Sequence, residues 1–195
     1  MKKKVIILCL CVFLLSGCTI VRIDTNSIDN IVDVVLSKDN TIYNRVGIGY
    51  KYYVPRGVTY IDSTGANDKL YSNGVYYYLY LDEVGYYYKA SQKYKENNNK
   101  YYSRKLDNGY LEITKQHNKY LVDFVYNYAK IEALVPKEDI NDVVLNASYI
   151  LSTIKYNKNV IKLSLNGDFL QNKEEKYEKF TSKQESDSFL RYEEK

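Results

Sequence analysis

Two Asn-Gly dipeptides constrain the fold of this chain more than any other feature. Asn73-Gly74 and Asn108-Gly109 each separate two short segments in which apolar and aromatic residues alternate with others. Asn-Gly tolerates the positive φ angles of a type I′ turn, which joins neighbouring antiparallel strands. The sequence therefore predicts two β-hairpins, over residues 69–82 and 101–115.

Three further segments also have strand patterns. Residues 46–54 alternate, with Val46, Ile48, Tyr50, Tyr52 and Val54 on one face. Residues 120–134 are apolar on both faces, which predicts one long central strand that is covered on both sides. Residues 160–165 predict a last strand. Between these segments we expect a turn at 55–57, a polar loop over 62–68, and a strand end followed by a short helix over 86–96.

Two segments have helical periodicity. Residues 27–38 place apolar side chains on one face after a capping Asn26 or Ser27. Residues 138–154 have the strongest periodicity of the chain. Their predicted buried face consists of Ile140, Val144, Ala147, Ile150, Leu151 and Ile154. The fold class expected is therefore α+β, an antiparallel β-sheet packed by helices.

The first 18 residues have the pattern of an export signal. Lys2-Lys3-Lys4 precedes an apolar run from Val5 to Leu15. The signal then ends in Leu15-Ser16-Gly17-Cys18. Eleven apolar residues are too few to span a bilayer, which needs about 20. The ending resembles the lipobox of bacterial lipoproteins. That resemblance implies lipidation of Cys18, cleavage before it, and attachment to the extracytoplasmic face of the cell membrane.

These observations divide the chain into four parts. We expect a signal peptide over 1–17, a tether over 18–25, a single α+β domain over 26–170 and a charged mobile tail over 171–195. The net charge of +4 includes the three signal lysines, so the mature chain carries +1. A nearly neutral domain gives no electrostatic reason to expect nucleic acid as a partner.

The order of elements and two short motifs are similar to the PsbP/Mog1-like α/β sandwich. An aromatic strand ends in Val54-Pro55-Arg56-Gly57, and the late helix ends in Leu151-Ser152-Thr153-Ile154. The similarity covers about residues 45–156, although Val58 stands where that family often has Trp. The resemblance implies an antiparallel sheet with packed helices and a non-enzymatic accessory, assembly or partner-binding role. It carries over no functional residues.

Tyrosines on one strand form the candidate binding site. Tyr76, Tyr78 and Tyr80 occupy alternate positions and therefore share one face of a strand. If exposed, the rings would suit a protein or sugar surface, since Tyr combines apolar area with a polar tip. If they pack beneath the two helices, they belong to the core. The sequence leaves both interpretations open.

Little in the sequence indicates catalysis. His117 is the only histidine and lies in a polar turn, no Gly-x-Ser-x-Gly motif occurs, and Cys18 is the only cysteine after the signal. We expect no catalytic residue, no metal site and no cofactor. Asp82-Glu83 is interpreted as a strand-end turn.

Two functions follow. The first is a lipid-anchored, non-catalytic surface module of a low-G+C bacterium that binds an envelope protein or glycan. The alternative is an envelope hydrolase that acts on cell-wall or glycan material through carboxylates assembled by the fold. A deep pocket with two facing carboxylates would favour the hydrolase, and a shallow aromatic surface would favour the module.

Overall fold

The structure, a computed structural model, describes residues 23–166 except Gln92 and Asn98. The predicted signal peptide 1–17, Cys18 and the predicted tail 171–195 lie outside the described residues. Ile23 already packs against the core, which places the start of the folded chain inside the predicted tether. Within the described residues, no helix is long and apolar enough to cross a bilayer.

The described residues form ten strands, four α-helices and one 3₁₀ turn. The strands are β1 (Arg45–Val46), β2 (Tyr50–Tyr52), β3 (Thr59–Thr64), β4 (Asn67–Ser72), β5 (Val75–Leu81), β6 (Tyr102–Leu106), β7 (Gly109–Gln116), β8 (Lys119–Tyr126), β9 (Ala129–Val135) and β10 (Lys155–Tyr156). The helices are α1 (Ile28–Leu36), α2 (Glu83–Tyr88), α3 (Ile140–Thr153) and α4 (Lys158–Asn166), and the 3₁₀ turn Lys137–Asp139 leads into α3.

The strands form two antiparallel sheets. The large sheet has the order β3-β4-β5-β9-β8-β7-β6, and the small sheet has the order β1-β2-β10. Helix α3 packs on the central strands β8 and β9, and α1 packs on α3. The predicted α+β class, an antiparallel sheet packed by helices, is confirmed.

Both predicted hairpins form, but their turns differ. In β4–β5, Asn73 and Gly74 have φ angles of 48° and 82°, as a type I′ turn requires. In β6–β7, Leu106 pairs with Gly109, so the turn lies one residue earlier than predicted. A Cβ on Gly109 would lie 2.0 Å from the carbonyl oxygen of Val125. Glycine is therefore needed there because β8 approaches closely.

Two predictions about the large sheet are wrong. The long strand over 120–134 is two strands, because Asn127 and Tyr128 adopt φ angles of 49° and 61° and reverse the chain. The polar loop over 62–68 is a hairpin between β3 and β4, and Gly65 turns the chain with φ of 61°.

Three further strand predictions are also wrong. The strand over 46–54 is interrupted at residues 47–49, and both Val46 and Ile48 are exposed. The segments 86–96 and 160–165 do not contain the predicted strands. Helix α4 covers 160–165, whereas α2 already ends at Tyr88, so the short helix predicted for the later part of 86–96 is not formed by the residues described there. Side-chain caps explain the helices: Oδ1 of Asp82 accepts from the Gly85 amide at 2.6 Å, and Oδ1 of Asn157 accepts from the Val160 amide at 3.3 Å.

The core lies between α3 and one face of the large sheet. The predicted buried face of the late helix is confirmed, since Ile140, Val144, Ala147, Ile150, Leu151 and Ile154 are all buried. At its edge, the Asn146 amide donates to the Tyr77 hydroxyl at 3.2 Å. Helix α1 begins where Ser27 Oγ accepts from the Asn30 amide, as predicted.

Candidate functional site

The face of the large sheet turned away from α3 carries the three candidate tyrosines. Along β5, Val75, Tyr77, Leu79 and Leu81 are buried in the core. Because strand side chains alternate, the residues between them point to the opposite face. We call this opposite face the polar face. Its aliphatic members are Leu121 and Val125 on β8 and Leu134 on β9. Its polar and aromatic members include Lys69 on β4, Tyr76, Tyr78 and Tyr80 on β5, Lys130 and Glu132 on β9, Asp123 on β8, and Tyr110 and Glu112 on β7.

The three tyrosine rings differ in accessibility. Tyr78 is only 5% exposed, whereas Tyr76 and Tyr80 are half-buried. The Lys69 ammonium lies 4.1 Å from the ring centroid of Tyr76, and the Lys130 ammonium lies 4.9 Å from that of Tyr80. Burial raises the pKa of Tyr80 well above its usual range. The rings are therefore mixed with cations and do not form a bare aromatic platform.

Three carboxylates form a row beside the tyrosines. Glu112 pairs with Asp123, Asp123 pairs with Glu132, and Glu132 pairs with Tyr78 across four adjacent strands. Neighbouring strands lie about 4.8 Å apart, so these carboxylates are side by side. We call Glu112, Asp123 and Glu132 the carboxylate row. Sequence analysis did not identify the row, because it depends on the β8–β9 hairpin at residues 127–128.

The two outer carboxylates of the row are paired with cations. Lys130 Nζ lies 2.6 Å from Oε1 of Glu132, and both side chains are 5% exposed. Lys100 Nζ lies 3.2 Å from Oε1 of Glu112. Ion pairing compensates the cost of burying Lys130 and Glu132 and of partly burying Lys100 and Glu112.

The central carboxylate is not fully compensated. Asp123 is 9% exposed, and its Oδ2 accepts from the Tyr110 hydroxyl at 3.2 Å. Its Oδ1 is buried and has no hydrogen-bond partner in the described part of the chain. Burial raises the pKa of Asp123 to about 7. The Lys130 charge opposes this shift, and the Glu132 charge adds to it. The aspartate therefore titrates near neutral pH.

A tyrosine from the segment between α2 and β6 closes one end of the row. The Tyr94 ring stacks on Tyr110 with centroids 4.1 Å apart and planes 5° from parallel. The Tyr94 hydroxyl donates to Oε2 of Glu112 at 3.0 Å and lies 2.7 Å from Oγ of Ser103. Burial raises the pKa of Tyr94 to about 12, so the hydroxyl stays protonated at neutral pH.

A cavity of about 250 Å³ lies next to Tyr94 at the β6–β7 turn. Asp107 is the single carboxylate among its lining residues, so it does not hold two facing carboxylates. The lining residues are Lys89, Ala90, Ser91, Tyr94, Lys105, Leu106, Asp107, Asn108, Gly109, Asn127 and Tyr128.

The remaining polar candidates lie apart from the row. His117 occupies the exposed β7–β8 turn with φ of 52°. Asp82 caps α2, and burial raises the pKa of its neighbour Glu83 to about 7. In the part of the chain that the structure describes, no group of three or more His, Cys, Asp or Glu could hold a metal ion.

Comparisons with known proteins assign no family. No protein-family model matches the chain, and no curated protein matches it. A crystal structure of a GTP-binding regulator from Thermotoga maritima is similar at 14% identity, covering 64% of this chain and 87% of that chain, with a TM-score of 0.27.

Proposed function

We propose that the chain is a lipid-anchored, non-catalytic interaction module on the extracytoplasmic face of the cell membrane. Cys18 would hold it there, as the resemblance of residues 15–18 to a lipobox implies. The polar face would bind an envelope protein. The observation that carries this proposal is that the face of the large sheet opposite the helices carries a group of tyrosines and paired charges beside the aliphatic residues Leu121, Val125 and Leu134.

Accessibility favours binding over hydrolysis. The carboxylate with the raised pKa, Asp123, is buried under Tyr110, and Glu132 is held by Lys130. A glycosidase needs two carboxyl groups that flank a bond of the substrate, which must reach both. The cavity beside Tyr94 has one carboxylate in its lining. The described geometry therefore gives more support to a binding module than to the alternative hydrolase.

The composition of the polar face favours a protein partner over a glycan. Sugar rings stack on a free aromatic face, but ammonium groups already lie over the rings of Tyr76 and Tyr80. Lys69 and Glu112 remain partly exposed on this face, and charges of both signs beside partly exposed tyrosines are typical of protein interfaces, where Tyr forms anchors and charges set orientation. We therefore propose a protein with a complementary charged surface.

Chemical cross-linking in native membranes tests this proposal. The wild-type chain should capture a partner, and the double variant Tyr76→Ala, Tyr80→Ala should capture it at least about tenfold less, which corresponds to about 1.4 kcal/mol. The matched control is Tyr88→Ala, which removes a 69% exposed tyrosine at the end of α2, outside the polar face.

Three results would decide between the interpretations. Loss of capture in the double variant alone, measured at a temperature where that variant is still fully folded, supports the proposal. Equal capture by all three chains contradicts it. Capture that survives protease treatment of the membranes, and that soluble envelope glycan competes away, would show that the ligand is a glycan.

A further inference from the structure

The hairpin β1–β2 presents an aliphatic side chain to solvent on a rigid scaffold. Ile48 lies at its tip and is 77% exposed. A Cβ on Gly47 would lie 2.1 Å from Cζ of Tyr50, so the tyrosine ring packs directly on the glycine backbone. The Gly49 carbonyl accepts from the Asn157 amide at 2.7 Å. The fold therefore fixes this tip although its side chain contributes little to the core.

Exposed apolar side chains concentrate around this hairpin. Of the eight large apolar side chains exposed in the described part of the chain, four fall within residues 42–48. Single exposed apolar residues are normal, whereas several on one short segment make that segment a candidate interaction site. The four are Ile42, Tyr43, Val46 and Ile48.

The outward face of the small sheet adds positive charge to this group. Val46 pairs with Lys51, and Lys51 pairs with Lys155, so the three residues form a row across β1, β2 and β10. The Lys51 ammonium lies 3.9 Å from the ring centroid of Tyr43. Lys155 forms an exposed ion pair with Asp39 at 3.1 Å. We call the side chains of Ile42, Tyr43, Val46, Ile48, Lys51 and Lys155 the basic apolar surface.

We propose that the basic apolar surface docks onto the anionic headgroups of the bilayer that holds the lipid anchor, with Ile48 inserted among them. This inference rests on the proposed anchoring through Cys18. Lysines are attracted to anionic lipid, and Tyr and aliphatic side chains are stable at the boundary between headgroups and acyl chains. The combination of a protruding aliphatic tip, a tyrosine and two lysines fits that boundary.

The short distance from the anchor makes this contact possible. Four residues separate Cys18 from Ile23, the first described residue, so the five Cα–Cα steps between them span about 17 Å when extended. Helix α1 has nine residues and is therefore about 14 Å long, and Asp39, three residues beyond its end, forms an ion pair with Lys155 of the basic apolar surface. The tether and α1 together are therefore long enough for the basic apolar surface to reach the bilayer that holds the anchor.

A single-tryptophan experiment tests the docking, because the chain contains no tryptophan. The full lipidated protein with Ile48→Trp would be reconstituted in vesicles of phosphatidylcholine with phosphatidylglycerol, and in vesicles of phosphatidylcholine alone. In anionic vesicles we expect its emission to shift to shorter wavelength and to lose more than half its intensity when brominated lipids are included. Lys105→Trp, in an exposed position on the opposite edge strand β6, should show neither change.

A charge variant tests the role of the lysines. Adding Lys51→Glu and Lys155→Glu to the Ile48→Trp chain should abolish the shift while the protein still floats with the vesicles. Equal emission from Ile48→Trp in anionic vesicles and in detergent-free buffer would overturn the docking, and so would an equal shift from the Lys105→Trp control. Flotation of the protein with the vesicles distinguishes the docking from the anchoring. A chain that floats without the emission shift contradicts the docking alone. A chain that does not float contradicts both proposals.

Discussion

The hydroxyl of Tyr52 donates a 2.6 Å hydrogen bond to Oδ2 of Asp68, and this bond joins the small sheet to the large one. The neighbouring Tyr50 hydroxyl donates to Oδ1 of the same carboxylate at 3.2 Å. Asp68 is 3% exposed. Burial raises the pKa of both tyrosines well above the usual range, so both remain donors at neutral pH. The two phenols therefore compensate a carboxylate that lies in the core.

Tyr52→Phe should destabilise the domain by roughly 1–3 kcal/mol, because it leaves a buried acceptor without its shorter hydrogen bond. Urea denaturation at pH 7 measures this effect. Tyr50→Phe, which removes the longer bond, is the matched comparison and should cost less. Two equal losses close to zero would show that the carboxylate does not depend on these donors.

Leu151→Ala should destabilise the domain by roughly 2–5 kcal/mol, because Leu151 is fully buried between α3 and the sheet. Leu163→Ala is the matched control, since Leu163 lies on α4 with 72% of its surface exposed. We expect that variant to stay within about 0.5 kcal/mol of the wild type. Thermal or urea unfolding of both chains gives the answer, and similar losses would contradict the assigned core.

Asp123→Asn should change how stability depends on pH. The pKa of Asp123 is raised to about 7 in the folded chain, so the folded state retains a proton that the unfolded state loses above about pH 4. Its contribution is therefore fully present at acid pH and is lost as the pH rises from about 4 to about 7. A shift of this size corresponds to at most about 4 kcal/mol.

The asparagine variant removes this titration, so we expect it to match the wild type near pH 4 and to exceed its unfolding free energy at pH 8. Denaturant unfolding at several pH values measures both. Glu83, whose pKa is also raised to about 7, provides an independent reference. Glu83→Gln alone should leave the part of the pH dependence due to Asp123 in place. Parallel curves for wild type and Asp123→Asn would contradict the assignment.

Tyr78→Ala should mainly reduce stability, by roughly 2–5 kcal/mol, because its ring is 5% exposed. Tyr76→Ala should cost less, since that ring is half-buried under the Lys69 ammonium. Melting temperatures of the two variants test the difference. A larger loss for Tyr76→Ala would show that the order of burial on the polar face is incorrect.

Turn residues and apolar periodicity predicted the elements that short stretches of sequence can specify. The Asn73-Gly74 hairpin and the helix over 140–153 follow from turn chemistry and from periodicity. The Asn127-Tyr128 turn could not be predicted from local sequence, because Tyr rarely adopts a positive φ angle. Tertiary contacts hold Tyr128 in this conformation. The carbonyl of Tyr128 accepts from the Asp82 amide at 2.8 Å and from the Tyr156 hydroxyl at 2.7 Å.

The candidate site shows the same division. The shared face of Tyr76, Tyr78 and Tyr80 follows from strand alternation along a single segment. The carboxylate row requires the pairing register of three strands, two of which were interpreted as one. For helix α4 the local signals conflict, because Asn157 caps its first turn whereas the alternation of Ile161, Leu163 and Leu165 favours a strand.

Mass spectrometry of the protein extracted from native membranes tests the central claim most directly. The account predicts that the N-terminal peptide begins at Cys18 and carries a diacylglyceryl group on its thiol, and that Cys18→Ala leaves an unprocessed precursor or a protein released from the membrane. A mature protein with an unmodified Cys18 thiol, or one that retains residues 1–17, would contradict the account.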